Sequence, residues 1–106
     1  MLNLEKTIEE TTLTITLEGR LDTSTAPDLE KCLMDDIAEK TDVVLDFDKL
    51  EYISSAGLRV LLAAQKIMNK QGAMKVTNVK ETIMEIFEVT GFADILTVEN
   101  EPEEEA

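Results

Sequence analysis

The sequence predicts an α/β domain with its elements in the order ββαβαβα(β). Three observations carry this expectation. The stretch "TLTITLEG" at 12–19 alternates apolar and polar residues with the period of a strand. Beyond it, apolar runs of strand length alternate with segments of helical spacing. The glycines Gly19, Gly57, Gly72 and Gly91 stand singly at the expected junctions. Strands separated by helices need crossover connections, so part of the sheet is expected to be parallel. A chain of 106 residues makes one domain, with a core large enough to stand alone.

The elements follow in order. Leu4 to Glu9 reads as a weak first strand, with Leu4 and Ile8 as its apolar members. In the second strand Leu13, Ile15 and Leu17 face inward, Gly19 ends or bends it, and Leu21 resumes the inward side. "DTSTAPDLEKCLMDDIAEK" opens a helix, capped by Ser24 or Thr25, with Pro27 in the first turn where its missing N–H does no harm. Ala26, Leu29, Cys32, Leu33 and Ile37 form one apolar stripe, so this helix packs through a single face. "DVVLDF" at 42–47 is apolar on both faces and is expected to be a central strand, with "KLEYI" leading out of it. "GLRVLLAAQKIMNKQ" is the most apolar helix, with Leu58, Leu61, Leu62 and Met68 on one side and Gly72 as its stop. "AMKVTNV" is a short strand, "KETIMEIFEVT" a third helix and "DILTV" a final edge strand. Residues 1–98 are expected to form the domain. Residues 99–106, "ENEPEEEA", hold five glutamates and have almost nothing to bury, so they read as an acidic disordered tail.

Composition excludes much chemistry. There is no histidine, which removes the Ser–His–Asp triad, imidazole acid–base work and histidine metal ligands. One cysteine, Cys32, allows neither an internal disulfide nor a thiolate cluster, and it reads as apolar filler in a reducing compartment. No GxxxxGK[ST] or GxGxxG phosphate cradle is present. Asp46 and Asp48 flank Phe47 on one strand, but no further ligands follow at a spacing that closes a cage. An enzyme using these carboxylates is therefore the last-ranked reading, and no cofactor or metal is expected. The formal net charge is −13; setting the five tail glutamates aside leaves 18 acidic against 10 basic residues, still −8. Such a surface repels nucleic acid and anionic membranes and steers in a partner with a basic face. With no leader pattern and no apolar run longer than Val60 to Ala64, the expected setting is the cytoplasm.

The joint "YISSAGLRVLL" is where a functional group is sought. Ser54 and Ser55 precede a helix, and one serine suffices to cap it. A hydroxyl held at that point is also a site for a switch, because phosphorylation adds about −1.5 to −2 charges where a partner docks. Gly57, in the first turn, costs up to about 1 kcal/mol in a helix interior, so something is expected to approach its backbone closely.

Here the residues carry a resemblance. "GRLDTSTAPDL" at 19–29 and "YISSAGLRVLL" at 52–62, together with "IFEVTGFADIL", resemble the STAS domain of anti-sigma factor antagonists over about Leu4 to Val98. The resemblance implies a small mixed sheet with helices packed mainly on one face. It implies a binding module whose unphosphorylated form engages an anti-sigma factor with serine kinase activity, frees the sigma factor, is released on phosphorylation and is reset by a PP2C-type phosphatase. Placed by the glycine of the family pattern Asp-Ser-[Ser/Thr]-Gly, the phosphoserine falls on Ser55. The chain departs from the pattern in having Ser54 for the aspartate and Ala56 after the phosphoserine, which makes Ser54 a second candidate. Asp22 matches an aspartate that lies near the phosphosite in the family. With Thr23, Ser24, Ser54, Ala56 and Gly57 it makes the implied partner surface, although capping of the first helix explains Asp22, Thr23 and Ser24 equally well. The competing expectation is a STAS subunit of a signalling or transport assembly that is never phosphorylated, in which Ser55 is only a cap.

Overall fold

A computed structural model describes residues 1–100. Five strands, β1 (Leu2–Glu9), β2 (Thr12–Leu21), β3 (Asp42–Ile53), β4 (Ala73–Thr77) and β5 (Thr97–Glu99), lie side by side in that order. β1 and β2 form an antiparallel hairpin, and every later pairing is parallel. The crossovers run through α1 (Ala26–Asp36), α2 (Ser55–Gln71) and α3 (Glu81–Thr90), the last followed by a short 3-10 turn at Phe92–Asp94. Each crossover steps one strand in the same direction. Right-handed connections then leave all three helices on one face of the sheet. The burial pattern follows: Leu13, Ile15, Leu17, Val43, Leu45, Phe47, Met74 and Val76 are buried under the helices. The opposite face carries Thr12, Thr14, Thr16, Asp46, Lys75 and Thr77, with Val44 as its apolar member. β3 is thus central, and β5 is the edge strand that the sequence predicts.

The strands run longer than their patterns suggest. β2 does not stop at Gly19 but bends there, with φ at +111°, and pairs on through Leu21. β3 continues from Phe47 to Ile53 against that extension, Gly19 opposite Leu50 and Leu21 opposite Ile53. Register shifts lie between Thr16 and Glu18 and between Gly19 and Arg20. They let β3 keep its inward side at Phe47, Leu50 and Ile53 although these are three residues apart.

Both long helices dock through the stripes expected of them. α1 buries Ala26, Leu29 and Leu33 and ends at Asp36, one residue before the buried Ile37. α2 buries Leu58, Leu61, Ala64 and Met68, but Leu62 is half-buried and Gln65 takes a buried place instead. Gln65 donates to Asn69 Oδ1 at 2.9 Å. In α3, Ile83 and Phe87 are buried, and the Phe87 ring lies 6.4 Å from that of Phe47. Lys6 on β1 bonds Asp36 on α1, and that hydrogen bond raises the ammonium pKa above its ordinary value. Cys32 is half-buried, and burial pushes its thiol pKa up, as suits filler more than a reactive group.

Glu99 and Asn100, placed in the tail by the sequence, make contacts with the sheet and its loops. Glu99 belongs to β5 and pairs with Lys75 at 3.1 Å. Asn100 accepts from the Val79 N–H at 2.8 Å and donates to the Val79 carbonyl at 3.3 Å. Val79 itself is buried, so that N–H needs a partner. A chain ending at Val98 is accordingly expected to be about 1–2 kcal/mol less stable to urea than one ending at Asn100. Equal midpoints for the two would show that the Asn100 latch contributes nothing. The rest of the expected tail, 101–106, lies outside the described residues.

Candidate functional site

The two segments singled out in the sequence meet at one end of the sheet. Leu21 and Ile53 are register partners at the C-terminal ends of the parallel strands β2 and β3, so Asp22 and Ser54 leave the sheet side by side. The Ser54 N–H donates to the Leu21 carbonyl at 2.9 Å, tying the two exits together. The N-termini of α1 and α2 both start here, which is where open parallel sheets place their binding sites.

The exit of β2 is a tight turn organised by Asp22. Its Oδ1 accepts from the Ser24 N–H at 3.0 Å, the Ser24 hydroxyl at 2.9 Å and the Thr25 N–H at 3.1 Å. These bonds, the Ser24 hydroxyl foremost, hold the Asp22 carboxyl below the usual carboxylate range. Thr25, which precedes α1, is buried; its hydroxyl accepts from the Asp22 N–H at 2.8 Å and donates to the Arg20 carbonyl at 2.9 Å. Thr25 makes no side-chain bond to the helix itself, so the expected cap is in fact a pivot for the turn. Thr23 and Ser24 are exposed on the outside of that turn.

The exit of β3 divides the two serines. Ser54 is the N-cap of α2: it is extended, with φ −104° and ψ 176°, and its oxygen accepts from the Gly57 N–H at 3.4 Å. Ser55 is the first residue inside the helix and is exposed. Among the described residues its hydroxyl has no hydrogen-bond partner. The notion that Ser55 is the cap is thereby corrected.

Gly57 does meet a close approach. It is buried, and a Cβ built on it lies 2.7 Å from Leu21 Cγ and 2.9 Å from Ile53 Cγ1. What approaches its backbone is this protein's own core, not an outside surface. Gly57 lets α2 settle onto the paired strand ends and so fixes where Ser55 emerges. Gly57→Ala is expected to lower stability by a net of about 1–2 kcal/mol, the overpacking outweighing the gain in helix propensity. A urea midpoint equal to that of the parent would contradict this.

Three further groups border the joint. Ala56 and Arg59 on α2 face Thr23, Pro27 and Glu30 across a shallow groove of about 300 Å³ between the two helix starts. Arg20 lies with its guanidinium 4.3 Å from the Tyr52 ring centroid and 3.9 Å from Asp22 Oδ2. Neither arginine stands out in the sequence, because their arrival at one end of the sheet depends on the pairing of β2 with β3. Asp46 Oδ1 accepts from the Asp48 N–H at 3.0 Å and from Asn78 Nδ2 at 3.1 Å. No group of three or more acidic, cysteine or histidine side chains suited to a metal occurs among the described residues. No helix among them is long and apolar enough to cross a membrane.

Comparison with known proteins agrees with this fold. The chain is 39% identical over 89 residues to the protein named "Putative anti-sigma factor antagonist BtrV" of Bordetella bronchiseptica, covering 82% of this chain and 77% of that one. It is 26% identical to the anti-sigma-B factor antagonist of Bacillus subtilis, covering 92% and 90% of the two chains. The fold matches that of the anti-sigma factor antagonist SpoIIAA in its unphosphorylated form with a TM-score of 0.74 at 20% identity, over 98% of this chain and 92% of that one. SpoIIAA has also been solved phosphorylated, and that form matches with the same TM-score of 0.74. The STAS domain family matches residues 3–105, nearly the whole chain, and this protein belongs to that family.

Proposed function

We propose that this domain is an anti-sigma factor antagonist worked by a phosphate switch at Ser55. With the hydroxyl bare it binds an anti-sigma factor that is also a serine kinase, and the sigma factor is set free. The kinase phosphorylates Ser55, the complex parts, and a PP2C-type phosphatase restores the hydroxyl. The observation that carries this is the division of labour at the joint: Ser54 takes the cap, while Ser55 is exposed at the first turn of α2 with a hydroxyl unengaged among the described residues. A serine needed only for capping has no reason to be doubled. The names of the relatives support the class of partner.

The docking surface is the ground around that hydroxyl. Asp22, Thr23 and Ser24 stand on one side and Ser54 and Ala56 on the other, with Gly57 acting from beneath by setting the height of the helix. The first turn of α2 holds no acidic residue, so free N–H groups and a bare hydroxyl meet the partner. A phosphoryl group there suits the helix N-terminus locally. For the partner it is a bulky double charge where a bare hydroxyl had stood.

Phosphopeptide mass spectrometry on the protein isolated from its native cells tests this directly. A partial phosphate on Ser55 is the expected result. A phosphate on Ser54 alone would move the switch to the capping serine. None under any growth condition would leave the domain as an unphosphorylated interaction subunit.

A further inference from the structure

The chain has only two arginines, Arg20 and Arg59, and the fold brings both to the end of the sheet that carries Ser55. The eight lysines supply the rest of its positive charge. Arg20 is already engaged, by the Tyr52 ring and by Asp22. Arg59 is exposed, and none of the ion pairs among the described residues includes it. Lys40, Lys49, Lys66, Lys70 and Lys80 stand outside those pairs too, so it is the place of Arg59 that sets it apart.

Arg59 follows Ser55 by four residues on α2, one helical turn on the same face. Long side chains on a helix lean toward its N-terminus, which aims the guanidinium at the residues three and four back, Ala56 and Ser55. Arg59 does border the groove beside Ala56. The order is also the favourable one, with the acidic group N-terminal to the basic one.

Resting on the phosphate switch at Ser55, we infer that Arg59 is an intramolecular clamp for the phosphoryl group on that serine. The planar fork of the guanidinium takes two phosphate oxygens, and the first-turn N–H groups of α2 take another. The clamp gives the phosphorylated state one defined geometry. It also withdraws Arg59 from the docking surface, so the partner loses a cation as it meets a new anion. Arg59 is thus a positioning residue for the released state of the switch. Lysine at 59 supplies the charge without the fork and is the graded control.

The test uses the full chain with phosphoserine installed at position 55 during synthesis, with phosphorus NMR followed against pH. The other charged groups around the joint are Arg20 and Asp22 beside β2 and Glu30 on α1; all three stay constant across the variants. The second phosphate pKa is expected to rise by about half a unit or more in Arg59→Gln, and by less in Arg59→Lys. Arg20→Gln is expected to leave it in place. High salt is expected to narrow the difference between the parent and Arg59→Gln, because the pair is exposed. The same pKa in the parent and in Arg59→Gln at low salt overturns the clamp. A shift in Arg20→Gln as large as in Arg59→Gln overturns its assignment to Arg59. Failure of the switch itself reads differently: the phosphoserine protein would show the pKa shift and still bind the anti-sigma factor.

Discussion

Ser55→Asp is expected to abolish binding to the anti-sigma factor and leave the fold untouched. The fold is spared because Ser55 is exposed, makes no side-chain hydrogen bond among the described residues and stands at the first position of α2. A carboxylate there meets the positive end of the helix, worth about 0.3–1 kcal/mol, so the melting temperature should hold or rise slightly. The partner sees the opposite sign. A charge sealed uncompensated into an interface costs about 3–5 kcal/mol, at least about a hundredfold in Kd. Ser55→Ala is the companion: it should bind like the parent and never be released. Ser54→Ala should act on the helix instead, losing about 1 kcal/mol of stability with the cap. Calorimetric titration against the purified partner separates the three. Ser55→Asp binding with the parent's affinity would sink the switch, whatever its phosphorylation state in cells.

Phe47→Ala is expected to produce the largest loss of stability of any single change considered. Phe47 is fully buried at the centre of β3, the middle strand, and its ring packs near that of Phe87 on α3. The chain has three phenylalanines and no tryptophan, so few other side chains are large enough to fill the space left behind. Such a truncation costs about 3–5 kcal/mol, against a total stability of about 5–15 kcal/mol for a domain. For about 100 residues that lowers the melting temperature by roughly 15 °C or more. Urea unfolding with an unchanged slope would attribute the loss to the native core. A loss below about 1 kcal/mol would mean that this ring does not hold α3 to the sheet.

How far the sequence could be read is best seen in β3. Its first half is legible as a central strand from the apolar run Val43, Val44, Leu45 and Phe47, of which Val43, Leu45 and Phe47 turn inward. Its second half places Leu50 and Ile53 inward at intervals of three, because the pairing with β2 shifts register there. No local pattern announces such a shift, since it is a property of two strands together. The missed half is the part that carries the chain to Ser54. Gly57 makes a related point: the glycine signals a close approach, but only the packing says that Leu21 and Ile53 are what it approaches. Likewise, Glu99 and Asn100 look like the start of a charged tail until β4 and Val79 are in place to receive them.

The sequence by itself determined the order and type of the elements, the inward faces of α1 and α2, the absence of histidine and disulfide chemistry, and the joint at which to look. These follow from periodicity, composition and turn residues, all of which act over a few positions. The tertiary structure alone decided which serine caps and which stands free, that Thr25 and Gly57 brace the joint from within, and that both arginines gather at one end of the sheet. The bracing by Gly57 and the gathering of the arginines depend on the parallel pairing of Leu21 with Ile53, two residues 32 positions apart in the chain. Contacts at that separation are set by the closing of the whole core, and no local stretch of the sequence contains them.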